Sequence, residues 1–117
     1  MEGLNKNMIS ELKSFAKPPA SCMLVAQAVI TLFGVKSKEP WKDFKKLLAD
    51  PNAFIKNLRD YDKENVPPHT LKELARYTLD DKFNADKIKM TSNAAHLISI
   101  WVLEIEKYAH KKLGTEP

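Results

Sequence analysis

Apolar residues recur at three- and four-residue intervals along nearly the whole chain, and no stretch alternates apolar with polar at every second position. A half-buried strand needs the two-residue alternation and a helix face needs the 3.6-residue period, so the pattern sets the fold class as all-α. Proline and glycine cut it into rods. Leu4, Met8, Leu12 and Phe15 form one narrow stripe over about residues 4–16, which Pro18 and Pro19 end. A proline has no N–H and disfavours helical geometry in the residue before it, so Lys17-Pro18-Pro19 is a forced bend. From Pro19 or Ala20 to Phe33 the next rod is apolar nearly all round, the mark of a central helix, with Gly34 as its stop.

Further rods follow through Trp41, Phe44, Leu47 and Leu48, then Phe54, Ile55 and Leu58, then Leu71, Leu74 and Tyr77. A loop at 80–84 and a helical turn at 85–90 precede a last helix from Ser92 or Asn93 to Lys112. That helix is long enough to outlast the core it leaves. It carries two overlapping seams, one through Ile98, Val102, Ile105 and Ala109 and one through Leu97, Trp101, Ile105 and Tyr108. With seam-like stripes on both end helices, the two ends are expected to pair antiparallel as a short coiled-coil stub capped by a small bundle. The expected division is 1–17, 18–96 and 97–117.

At 117 residues, with 44% of them hydrophobic and 29% charged, the chain fits one domain and is too rich in apolar residues for disorder. Its single cysteine, Cys22, excludes an internal disulfide and a multi-thiolate zinc site and points to a reducing compartment. The longest apolar run, Ala20 to Phe33, is shorter than the roughly 20 residues that span a bilayer, so no membrane association is expected.

No phosphate-cradling glycine loop, nucleophile elbow or metal-ligand spacing occurs, and His69, His96 and His110 lie in separate segments. No catalysis and no cofactor are expected. The formal charge of +4 is mild, but lysines concentrate in two places: Lys36, Lys38, Lys42, Lys45 and Lys46, and Lys82, Lys87 and Lys89. Each alone reads as a solvated face; two clusters on one small bundle can instead dock on an acidic surface. Nucleic acid is disfavoured, since Trp41, Phe44 and Trp101 fall at core spacing and are not interleaved with the lysines as stacking platforms.

The string SELKSFAKPPASCMLVAQAVITLFGVK, the W-K-x-x-K-K of Trp41 to Lys46, DPNAFIKNLRDYDKENV and SNAAHLISIWVLEIEKY together resemble the microtubule-binding domain of dynein heavy chains, over essentially the whole chain. The second long string is most similar to the axonemal members. The resemblance implies a noncatalytic stalk tip, a small bundle of about six helices, that docks between α- and β-tubulin on the microtubule, its affinity switched by one stalk helix sliding on the other. ATP hydrolysis would lie elsewhere in a parent motor at work in the cytoskeleton, in the axoneme of a cilium or flagellum.

Carried onto this sequence, the resemblance implies a tubulin-facing surface of the region around Met23, then Lys36, Lys38, Lys42, Lys45 and Lys46, then Lys87, Lys89, Met90 and Asn93, with Lys17, Pro18 and Pro19 as the hinge. Three positions depart from the pattern. Met23 stands where cytoplasmic dynein has Lys, Met90 where Arg or Lys is usual, and Asn93 where axonemal members often carry Lys, which implies weakened contact with an acidic partner. The alternative is a protein-interaction module that binds an axonemal dynein light chain and holds tubulin only weakly.

Overall fold

A computed structural model describes residues 3–114. Among them every regular element is helical: α1 (Lys6–Lys13), α2 (Ala20–Leu32), α3 (Pro40–Leu48), α4 (Pro51–Arg59), a 3₁₀ turn (Lys63–Asn65), α5 (Pro68–Thr78), α6 (Ala85–Thr91) and α7 (Asn93–Leu113). The all-α bundle expected from the periodicity is the observed architecture.

The boundaries follow from cap chemistry. Asn5, Asp50, Asn84 and Ser92 each precede a helix, and each side-chain oxygen accepts from a first-turn backbone N–H: from Met8, from Ala53, from Asp86 and Lys87, and from Ala95. Such a cap satisfies donors that the helix itself leaves unpaired. Pro40, Pro51 and Pro68 open α3, α4 and α5, where a missing N–H is harmless. Gly34, at φ +75°, closes α2: its N–H reaches the Thr31 carbonyl and the Val35 N–H reaches Ile30, the paired bonds of a left-handed helix stop.

The hub is α2. It packs against α3, α5, α6 and α7, and Val25, Ala26, Ala28 and Val29 are at most 1% exposed. Its C-terminal end is held by aromatics: the Tyr61 hydroxyl donates to the Leu32 carbonyl at 2.8 Å, and Phe33, Tyr61 and Trp101 cluster with ring centres within about 6 Å of one another, Trp101 meeting each of the other two edge to face. Trp101 in turn donates its indole N–H to the Leu58 carbonyl at 3.0 Å.

Two expectations about the chain ends are corrected. The buried residues of α1 are Leu4, Ile9 and Leu12, while Met8 and Phe15 are only half-buried. Residue 9 replaces 8 because α1 meets α3 and α4 as well as α7, a broader contact than a two-helix seam. An antiparallel stub would carry Gly3 toward the C-terminal end of α7. Instead a Cβ at Gly3 would lie 3.5 Å from the Leu97 side chain, more than ten residues before Tyr108. A radius of gyration of 13.3 Å is that of a folded domain of this length, about 13 Å, with no projecting stub among the described residues. The last helix, for its part, does not outrun its packing. Ile105 and Ala109 are buried, because the 3₁₀ turn closes on α7 there.

Candidate functional site

Both lysine clusters lie on elements attached to α2. α3 and α6 each pack against it, and the loop from Lys36 to Glu39 joins α2 to α3. Lys36, Lys38, Lys42 and Lys46 are exposed and Lys45 is half-buried. Two of these cations have acidic neighbours one helical turn away: Lys42 lies 3.5 Å from Glu39, and Lys46 lies 3.6 Å from Asp43. Lys45 forms no ion pair among the described residues, so within α3 it is the cation with the least to give up on meeting an anion.

On the second cluster, Lys87, Lys89 and Asn93 are exposed and Met90 is 89% exposed. Their helix is fixed from beneath: Ile88 is fully buried, and the imidazole Nδ1 of His96 lies 2.9 Å from the Ala85 carbonyl, tying the start of α6 to α7. Ser92 serves both helices at once. Its N–H bonds the Ile88 carbonyl as α6 ends, and its Oγ accepts from Ala95 as α7 begins.

Met23 takes a different position from its exposed counterpart. It is half-buried and packed on the core, and it lines an open groove of about 410 Å³ with Ala16, Glu39, Pro40, Trp41, Lys42 and Lys45. The floor is apolar and two lysines stand at the rim. The groove lies beside the bend: residues 15–19 are non-helical, Lys17 and Pro19 are exposed, and Pro18 is half-buried. Trp41 spans the gap between the two ends of this region, donating its indole N–H to the carbonyl of Phe15 at 3.0 Å.

A second cleft, about 530 Å³, runs along α7 between Leu97, Ile100, Trp101, Glu104, Ile105 and Tyr108 on one side and Leu58, Arg59, Tyr61 and Lys63 on the other. Its α7 side is the outer seam of that helix. Ile98 and Val102 are fully buried and Ala109 is 2% exposed, whereas Leu97 and Tyr108 are only half-buried and face the cleft. At its far end the Tyr108 hydroxyl donates to Glu64 at 3.1 Å, Lys112 lies 3.8 Å from the same carboxylate, and the Lys63 ammonium sits 4.7 Å from the Tyr108 ring centre.

Among the described residues no group of three His, Cys, Asp or Glu side chains could hold a metal ion, and no helix is long and apolar enough to cross a membrane. Cys22 is buried, and burial pushes its thiol above the ordinary value, which keeps it protonated and unreactive. Sequence reasoning missed Glu39 and Asp43 as partners of Lys42 and Lys46, although the three-residue spacing announces both pairs. It also missed the groove, whose walls come from three separate segments.

A family described as the microtubule-binding stalk of dynein motor matches residues 1–116. The ciliary dynein beta chain of Tripneustes gratilla is 38% identical over 97% of this chain. Human dynein axonemal heavy chain 2 is 37% identical over 100% of it, and the flagellar outer arm dynein beta chain of Chlamydomonas reinhardtii 38% over 92%. The chain spans about 3% of the length of the first two relatives and 2% of the third.

Proposed function

Since the chain belongs to the family of dynein microtubule-binding stalks, we propose that it is a noncatalytic tip that docks on the acidic surface of a microtubule through the lysines carried by α3, α6 and the 36–39 loop. The match over residues 1–116 carries the reading. The geometry supports it, because both cationic elements are anchored on one rigid helix, α2, and so move together. Met23, Lys36, Lys38, Lys42, Lys45, Lys46, Lys87, Lys89, Met90 and Asn93 are the proposed contact residues. The parent chain would be an ATP-driven motor with its hydrolysis outside these residues. Its place of work would be the axoneme, as the ciliary and flagellar names of the relatives suggest.

In this reading residues 1–17 end an outgoing stalk helix, 18–96 form the docking bundle, and 97–117 begin the return. Switching then has a physical basis in α7. Its inner seam is committed to the bundle, and on its outer seam Trp101 and Ile105 are buried while Leu97 and Tyr108 are only half-buried at the cleft. Register would change by a shift of the outgoing helix, which already meets α3, α4 and α7, along that half-buried edge, pivoting at Lys17-Pro18-Pro19.

A second reading, a tip that binds an axonemal light chain, draws on the Lys42–Glu39 and Lys46–Asp43 pairs, which lower the free positive charge of α3. Co-pelleting with microtubules at low and high salt separates the two. Salt-sensitive pelleting is expected of the microtubule tip; absence of pelleting at low salt would favour the interaction module.

A further inference from the structure

Where the family resemblance leads one to expect a cation, this chain places Met23, and the consequence depends on what surrounds it. The thioether is neither fully packed away nor free in solvent. It lines the 410 Å³ groove with Pro40 and the buried Trp41, while exposed Ala16 and Lys42 and half-buried Lys45 stand at its mouth. Trp41 is 8% exposed and cannot swing out to close the space, since its N–H is engaged by the Phe15 carbonyl.

Resting on the microtubule reading, we propose that this groove is a socket for an apolar side chain presented from an acidic surface, so that docking has an apolar anchor inside an electrostatic frame. Charge complementarity selects the occupant. An apolar residue flanked by carboxylates would place its side chain against Met23, Pro40 and Trp41 and its carboxylates against Lys45 and Lys42. Glu39 already holds Lys42 from one side at 3.5 Å, so Lys45 meets the incoming anion first. A neutral apolar partner would leave Lys45 without a counter-ion, and a purely acidic one would leave the apolar floor wet. Methionine suits the floor because its unbranched, polarizable side chain adapts to the shape that enters. The substitution of Met for a cation thus replaces a salt-sensitive contact with a salt-insensitive one, because Debye screening acts on charges and not on apolar burial.

The test is co-pelleting of the whole chain with microtubules across a salt series. Met23→Gln keeps length and flexibility but wets the floor, and is expected to weaken binding by about tenfold at every salt, the scale of one buried apolar side chain, giving a line parallel to wild type. Met23→Leu should stay within about twofold of wild type. Lys45→Gln should instead flatten the salt dependence. Ala16 is exposed at the groove mouth, so Ala16→Trp fills the socket without touching the core and should reproduce the Met23→Gln loss. That variant decides the matter if Met23→Gln melts early. Wild-type binding by Ala16→Trp, or a Met23→Gln defect that disappears at high salt in a folded variant, overturns the socket. A wild-type chain that fails to pellet even at low salt overturns the microtubule reading and the socket with it.

Discussion

The indole N–H of Trp41 donates to the carbonyl of Phe15 across 3.0 Å and 26 positions of sequence, so the first turn of α3 is bonded to the last residue before the bend. Trp41 also stacks against Phe44, which meets Phe54 edge to face, and the contact therefore ties the end of α1 into the α3–α4 core. Trp41→Phe keeps an aromatic ring but leaves the Phe15 carbonyl without its donor. A loss of about 1–2 kcal/mol is expected, several degrees in Tm for a domain of this size. Thermal melts of the two proteins check it, and coincident midpoints would show that the bond contributes nothing.

Tyr61 gives an alkaline signature. Burial, and then the negative charge of Asp62, hold its phenol above the ordinary 10.0, and its O–H donates to the Leu32 carbonyl at the end of α2. The folded state keeps this proton to higher pH than the unfolded chain does. The stabilisation is therefore complete below the ordinary tyrosine value and is lost as pH rises through the higher folded-state value. Tyr61→Phe should lower stability by about 1 kcal/mol near neutrality. Above pH 10 the gap between the two proteins should narrow, and urea melts at several pH values would reveal a gap that instead stays constant.

The lysines of α3 should not be equivalent. Lys45 is half-buried at the groove with no ion pair among the described residues, whereas Lys46 is 70% exposed and must part from Asp43 to serve a partner. Replacing Lys45 by Gln should weaken low-salt microtubule binding about fivefold, and replacing Lys46 by Gln less than about twofold. The triple reversal of Lys42, Lys45 and Lys46 to Glu should abolish low-salt binding while leaving helicity intact, as circular dichroism can verify. Equal effects of the two single changes would mean that the Asp43 pair is irrelevant to docking.

Much of the fold was legible because its signals are local. A proline or a capping Asn, Asp or Ser stands at the start of nearly every helix, and Gly34 adopts the left-handed conformation that its place after an apolar run suggests. What was not legible depends on contacts distant in sequence. Residues 8 and 9 both fit a helical stripe beginning at Leu4, and only the meeting of α1 with three other helices makes Ile9 the buried one. The 3₁₀ turn Lys63–Asn65 has no apolar periodicity; it forms where Glu64 meets Tyr108 and Lys112. The site residues were legible as residue types, while the groove that gives Met23 a context needs Ala16 and Trp41 brought beside it.

The two seams of α7 can be told apart by truncation. Ile98 is fully buried in the bundle, and Leu97, next to it in sequence, is half-buried against the core and faces the open cleft. Deleting a buried branched side chain removes its transfer energy and leaves a cavity, so Ile98→Ala should cost about 3–4 kcal/mol, a large share of the stability of a domain this size. Leu97→Ala should cost about 1 kcal/mol, because the side chain is already partly in water. If the outgoing helix shifts along the half-buried edge of α7, Leu97→Ala should change microtubule affinity beyond what its small stability loss explains. Melts and co-pelleting on the same preparations give both numbers. Equal destabilisation by the two variants would show that the outer seam is packed as firmly as the inner one, which leaves α7 no free face on which a register could change.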